Sequence, residues 1–107
     1  MSDTSIPLLD VSGAPSAIGE AHGETFRDLV REHVACHRDW IFENTAVPMD
    51  AESLDATWQP WIEANRQAAP ELVEEMHGIA RGADVSFEHL FQVNSLLDLG
   101  NFRWIDC

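Results

Sequence analysis

A chain of 107 residues with 45% hydrophobic residues, four tryptophans and five phenylalanines holds enough apolar material for one small domain, although a domain this size buries only about 60–70% of the surface its unfolded chain exposes. The 6 Lys plus Arg against 19 Asp plus Glu give a formal charge of -13, which argues against a nucleic-acid partner, because phosphate-backbone binding needs cations to release counterions. The same charge repels an anionic bilayer surface, and no apolar run approaches the roughly 20 residues that span a membrane.

The opening M-S-D-T-S-I-P-L-L-D lacks a cationic segment followed by a long apolar run, so no secretory signal is visible and a cytoplasmic location is expected. Cys36 and Cys107 are the two cysteines, too few for a disulfide framework, and reduced thiols are expected. Residues 6–12 read I-P-L-L-D-V-S and are closed by Gly13 and Pro15. A short apolar run bounded by turn formers predicts a strand, and Pro7, which donates no backbone hydrogen bond, assigns it to a sheet edge. A single strand needs a pairing partner from outside the chain.

From Ser16 the spacing turns helical. Ile18, Phe26, Leu29, Val30, Val34 and Ile41 fall near one face, predicting a long helix that stops near Asn44, before Pro48. Asp50 or Ser53 is a candidate cap for a second helix carrying Leu54, Trp58, Trp61 and Ile62, which Pro60 is expected to bend or interrupt. Ala69, Pro70 and Glu71 predict a clean third start, since proline fits the first turn and an acidic residue complements the positive end of the helix dipole. Its apolar face is Leu72, Val73, Met76, Ile79 and Ala80, with Gly82 as its expected stop. Ser86 is the predicted cap of a fourth helix running through Phe87, Leu90, Phe91, Leu96 and Leu97 toward Gly100. No repeat, low-complexity tract or linker divides residues 1–107, so one unit is expected.

His33, Cys36 and His37 form an H-x-x-C-H cluster within about one helical turn, and the two histidines share a face with metal-ligand spacing. Two histidines without a third ligand at matching spacing are more often polar helix residues, and no metal or cofactor is assigned. His77 and His89 stand alone and read as helix-surface histidines. Trp58 and Trp61 are three residues apart, a spacing that favours packing over a ligand pocket. Gly19 and Gly23 each cost up to about 1 kcal/mol against alanine inside a helix. Close packing against another backbone is the expected compensation.

Three segments carry a resemblance to a known family. The start Ile6-Pro-Leu-Leu-Asp-Val-Ser-Gly13, followed by Ile18-Gly19 and His22-Gly23, resembles the opening of the acyl-coenzyme A:isopenicillin N acyltransferase family, with its G-x-x-H-G signature. The stretch Pro70-Glu-Leu-Val-Glu-Glu-Met-His-Gly-Ile-Ala-Arg-Gly-Ala83, continuing through Val85-Ser86-Phe87-Glu88, is similar to that family's E-M-x-G-I-A-x-G-A-x-V-S-F-E segment. Asn94 is the third match. Together these cover nearly the whole chain in the right order.

The resemblance implies a precursor that cuts its own backbone on the amino side of a cysteine, leaving a small and a large subunit that stay together. It implies an α+β fold class for this chain, mostly helical with one N-terminal edge strand, contributing to an αββα sandwich completed by the large subunit. The cysteine becomes the first residue of the large subunit, where its thiol is the nucleophile and the freed α-amino group, with a reference pKa of about 8, serves as base. Asp106 matches the aspartate that usually precedes the junction and Cys107 takes the place of the usual glycine, so no catalytic residue is assigned within this chain. The competing alignment makes Cys107 the nucleophile itself, although a nucleophile that needs a free amino group cannot act as a carboxyl-terminal residue. The expected chemistry is acyl transfer from a small-molecule amide or acyl substrate, with hydrolysis preferred because water is always available as acceptor. The rival expectation is a non-enzymatic acidic helical binding module that uses Trp58 and Trp61 for recognition.

Overall fold

The computed structural model describes residues 8–44, 52 and 56–95. Among the described residues it forms the helices α1 (Pro15–Thr25), α2 (Arg27–Asn44), α3 (Gln59–Ala68), α4 (Pro70–Ala83) and α5 (Phe87–Asn94), and residues 52, 56 and 57 are also helical.

Prolines set three of the starts. Pro15, Pro60 and Pro70 each occupy the first turn of their helix, where the missing N–H is one that no intrahelical carbonyl would accept anyway. Residues 56 and 57 are helical, a turn follows at Trp58, and α3 begins anew at Gln59 with Pro60 in its first turn, so the interruption expected at Pro60 is present. The long helix predicted from Ser16 is two helices joined at Phe26, whose backbone leaves helical geometry (φ -111°, ψ 30°). The hydrogen-bond ladder still runs through the join, from Phe26 N–H to the His22 carbonyl at 3.0 Å and from Val30 N–H to the Phe26 carbonyl at 2.9 Å.

The end of α4 also differs from expectation. Gly82 lies inside the helix, and the turn that stops it is made by Asp84, in the left-handed region at φ 56°. The Val85 N–H reaches the Ala80 carbonyl at 2.9 Å and the Asp84 N–H the Arg81 carbonyl at 3.3 Å. This is the Schellman pattern, with aspartate where glycine is usual. Arg27 and Arg31 of α2 reach the Asp84 carboxylate at 3.4 and 3.3 Å, and Arg31 also donates to its backbone carbonyl at 3.2 Å. Ser86 caps α5 as predicted, its hydroxyl accepting from the His89 N–H at 3.4 Å.

The core lies between α2, α3, α4 and α5. Val34, Trp58, Ile62, Val73, Ala80, Phe87, Leu90, Phe91 and Val93 are buried, with Val30, Trp61, Met76, Ile79 and Val85 packed against them. Gln92 is also fully buried, and the Arg38 guanidinium donates to its side-chain carbonyl.

Helix α1 joins through backbone instead of large side chains. Its buried residues are Gly19 and Gly23, which lie against the backbone of Glu75, Ile79 and Ala83, while Gly78 and Gly82 of α4 lie against Ser16, Glu20 and Glu24. Position rises along both helices together, so α1 and α4 run parallel. Carbonyl oxygens of each helix face glycine α-carbons of the other, the arrangement of weak Cα–H···O contacts. An Arg81–Glu20 ion pair at 3.4 Å closes the edge of the seam. The compensation expected for Gly19 and Gly23 is thus present, supplied by a second pair of glycines.

The predicted edge strand is not formed. Residues 8–12 carry no regular structure, residues 6 and 7 lie outside the described residues, and there is no strand among the described residues. Leu8 is 89% exposed while Leu9 and Val11 are half-buried, and among the described residues there is no strand to pair with them. The described chain is all-helical, which overturns the α+β class and the contribution of a strand to an αββα sandwich.

Candidate functional site

A groove of about 770 Å³ runs between the α1–α2 join, α4 and α5. His22 and Phe26 come to it from the α1–α2 join, and His33, Cys36 and His37 from further along α2. Leu29 and Val30 line it between them, with Ile79 of α4 and Leu90 and Asn94 of α5 also facing it and Glu32 the acidic residue on its wall. The lining is mainly apolar, with imidazoles, an amide and a thiol set into it, the composition of a site that takes a small apolar group and orients it by a few polar contacts.

The histidines differ in their surroundings. His22 meets Phe26 edge-on, with ring centroids 5.8 Å apart. His33 and His37 lie one turn apart with centroids at 4.1 Å and planes tilted by 44°, and His37 Nδ1 donates to the His33 carbonyl at 2.9 Å. Partial burial, and then the proximity of His37, hold the His33 imidazole below its ordinary value of 6.5, so it stays neutral to lower pH than a free histidine. Cys36 is a free, exposed thiol. Among the described residues no group of three or more His, Cys, Asp or Glu side chains could hold a metal ion, and no helix is long and apolar enough to cross a membrane.

The groove brings together one residue from each matched segment: His22 from the first, Ile79 from the second, and Asn94. The H-x-x-C-H cluster joins them. The remaining candidates fall elsewhere. Trp58 is fully buried and Trp61 half-buried against it, ring centroids 4.4 Å apart, so the pair packs as expected and Trp58 offers no surface for recognition. His77 is half-buried and stacked on Phe87 at 3.7 Å. Burial, then Arg66 and Arg81, outweigh Glu88 and lower its pKa from 6.5. His89 is half-buried in α5. The junction residues Asp106 and Cys107 lie outside the described residues.

Leu29 is the groove residue the sequence pattern misassigns. It shares the apolar periodicity of α2 and was expected on the core face, yet it is 60% exposed. Periodicity across the one-residue join at Phe26 looks continuous, so the pattern does not show that Leu29 belongs to a separate helix.

No family model matches the chain, and no curated protein or solved structure is significantly similar to it. The resemblance to the acyltransferase family rests on the quoted motif residues.

Proposed function

We propose that this chain is the small subunit of a self-processing N-terminal cysteine amidohydrolase or acyltransferase, whose nucleophile is the first residue of a partner chain. One observation carries the reading. The segments that resemble the family are distant in sequence, yet Gly19 and Gly23 of the first lie against the helix backbone of the second, as Gly78 and Gly82 do against that of the first, and His22, Ile79 and Asn94 line one groove.

In this reading the groove walls the substrate cleft from the small-subunit side. The partner's thiolate adds to the substrate carbonyl and the amine leaves with a proton, giving a thioester acyl-enzyme. Water or an amine then takes the acyl group and regenerates the thiol. Hydrolysis is the first choice, and the assembled enzyme is assigned to the cytoplasm, where the free thiol of Cys36 stays reduced.

The partner also accounts for apolar surface left uncovered. Leu29, Trp40 and Leu72 are 60%, 41% and 63% exposed, and an obligate interface is where such residues find cover. For the binding-module alternative, Trp58 is buried and only Trp61 of the expected recognition pair reaches the surface.

Sedimentation and circular dichroism of the chain expressed alone test the reading. It is expected to self-associate or to lose helical structure, and a folded, soluble monomer contradicts the obligate-subunit assignment.

A further inference from the structure

We propose that the groove selects against anionic substrates and takes an apolar acyl group joined to a cationic amine, an inference that rests on the reading of this groove as a wall of the substrate cleft. Phe26, Leu29, Val30, Ile79 and Leu90 give it an apolar bed, and its volume of about 770 Å³ is in the range of small-molecule sites. Among the described residues Glu32, exposed on α2, is the one carboxylate on its wall, and no arginine lines it.

The cations of the chain are committed elsewhere. There is no lysine in the sequence, and each described arginine has a partner within the chain. Arg27 and Arg31 pair with the Asp84 carboxylate, Arg66 with Glu63 and Arg81 with Glu20, while Arg38 donates to the side-chain carbonyl of Gln92. Arg103 lies outside the described residues. Burial, and then His37, keep the His33 imidazole below its ordinary value of 6.5, so it adds no positive charge at neutral pH. A carboxylate or phosphate in the groove therefore meets Glu32 and a chain of formal charge -13, with no described arginine to offset them. An ammonium group gains a partner there instead.

Equilibrium dialysis of the protein as it purifies, together with its copurifying chain, tests the selection at about pH 7.5, above the ordinary histidine range. The probes are three hexanamides of similar size: N-(2-aminoethyl)hexanamide, cationic; N-propylhexanamide, neutral; and N-hexanoyl-β-alanine, anionic. Affinity is expected to fall in that order, by up to about fivefold at each step, the scale of an exposed ion pair. Glu32→Arg should reverse the order. Glu74→Arg makes the same change of charge at an exposed position of α4 outside the groove and should keep it. Copurification and circular dichroism check that both variants stay assembled and folded, and the wild-type series decides by itself where one does not. Failure of every amide to bind, an anion that binds as well as the cation, or equal effects of the two substitutions overturns the proposal. Released hexanoate, measured on the same samples, separates this from the enzyme reading: the expected binding order without hydrolysis keeps the charge selection and contradicts the amidohydrolase.

Discussion

Gly23 of α1 and Ile79 of α4 meet backbone to backbone: a β-carbon built on Gly23 would stand well inside 3.0 Å of the Ile79 carbonyl oxygen. A glycine-to-alanine change in a helix interior ordinarily gains up to about 1 kcal/mol. Here the added methyl must force two helices apart, at a cost of about 1–3 kcal/mol or more for overpacking. Gly23→Ala and Gly78→Ala are therefore expected to lower stability in urea denaturation. A gain in either variant contradicts the packing.

Asp84 holds a left-handed turn that glycine would adopt without strain. Asp84→Gly relieves the backbone and loses two exposed arginine pairs, each worth about 0–1 kcal/mol, so it is expected within about 1 kcal/mol of wild type. Asp84→Val keeps the strain and loses the pairs, and should be about 1–2 kcal/mol less stable than Asp84→Gly. Equal denaturation midpoints for the two variants contradict the assigned turn.

Trp58 is fully buried, and its indole N–H has no hydrogen-bond partner among the described residues. Trp58→Ala opens a cavity and is expected to cost about 3–5 kcal/mol. Trp58→Phe leaves a smaller gap and removes an unpaired donor whose burial costs about 1–3 kcal/mol, so its loss should be clearly smaller. Thermal or urea unfolding separates the two, and comparable losses contradict the unpaired indole.

The pH dependence follows from His77 and His33, whose folded pKa values lie below 6.5. The unfolded chain then binds more protons between the folded and unfolded values, so stability is complete above about 6.5 and falls as pH drops through that window. His77→Phe keeps a ring against Phe87 and cannot titrate. It should flatten the fall in stability as pH drops below about 6.5, and an unchanged slope removes His77 from the account.

The helix starts at Pro70 and Ser86 and the close backbone packing of Gly19 and Gly23 were legible in the sequence, because first-turn proline, a capping hydroxyl and paired glycines each have a local physical meaning. The interruption at Pro60 was legible too, because a proline that ends one helical run also fits the first turn of the next. The stop expected at Gly82 falls instead at Asp84, which takes the left-handed turn, while Gly82 sits where α1 approaches α4. The strand reading of residues 6–12 failed for a different reason. Strand formation depends on a neighbour to pair with, which a local apolar run does not specify. The groove was legible only in pieces, as His22, the H-x-x-C-H cluster and Asn94, since their meeting depends on the Phe26 join and the α1–α4 seam.

The most direct test of the subunit assignment is intact-mass analysis and N-terminal sequencing of everything that copurifies with this chain. The account expects a larger partner from the same precursor whose first residue is cysteine, and alkylation of that thiol should abolish amide hydrolysis. A chain that purifies without such a partner, or with one that begins on another residue, contradicts it.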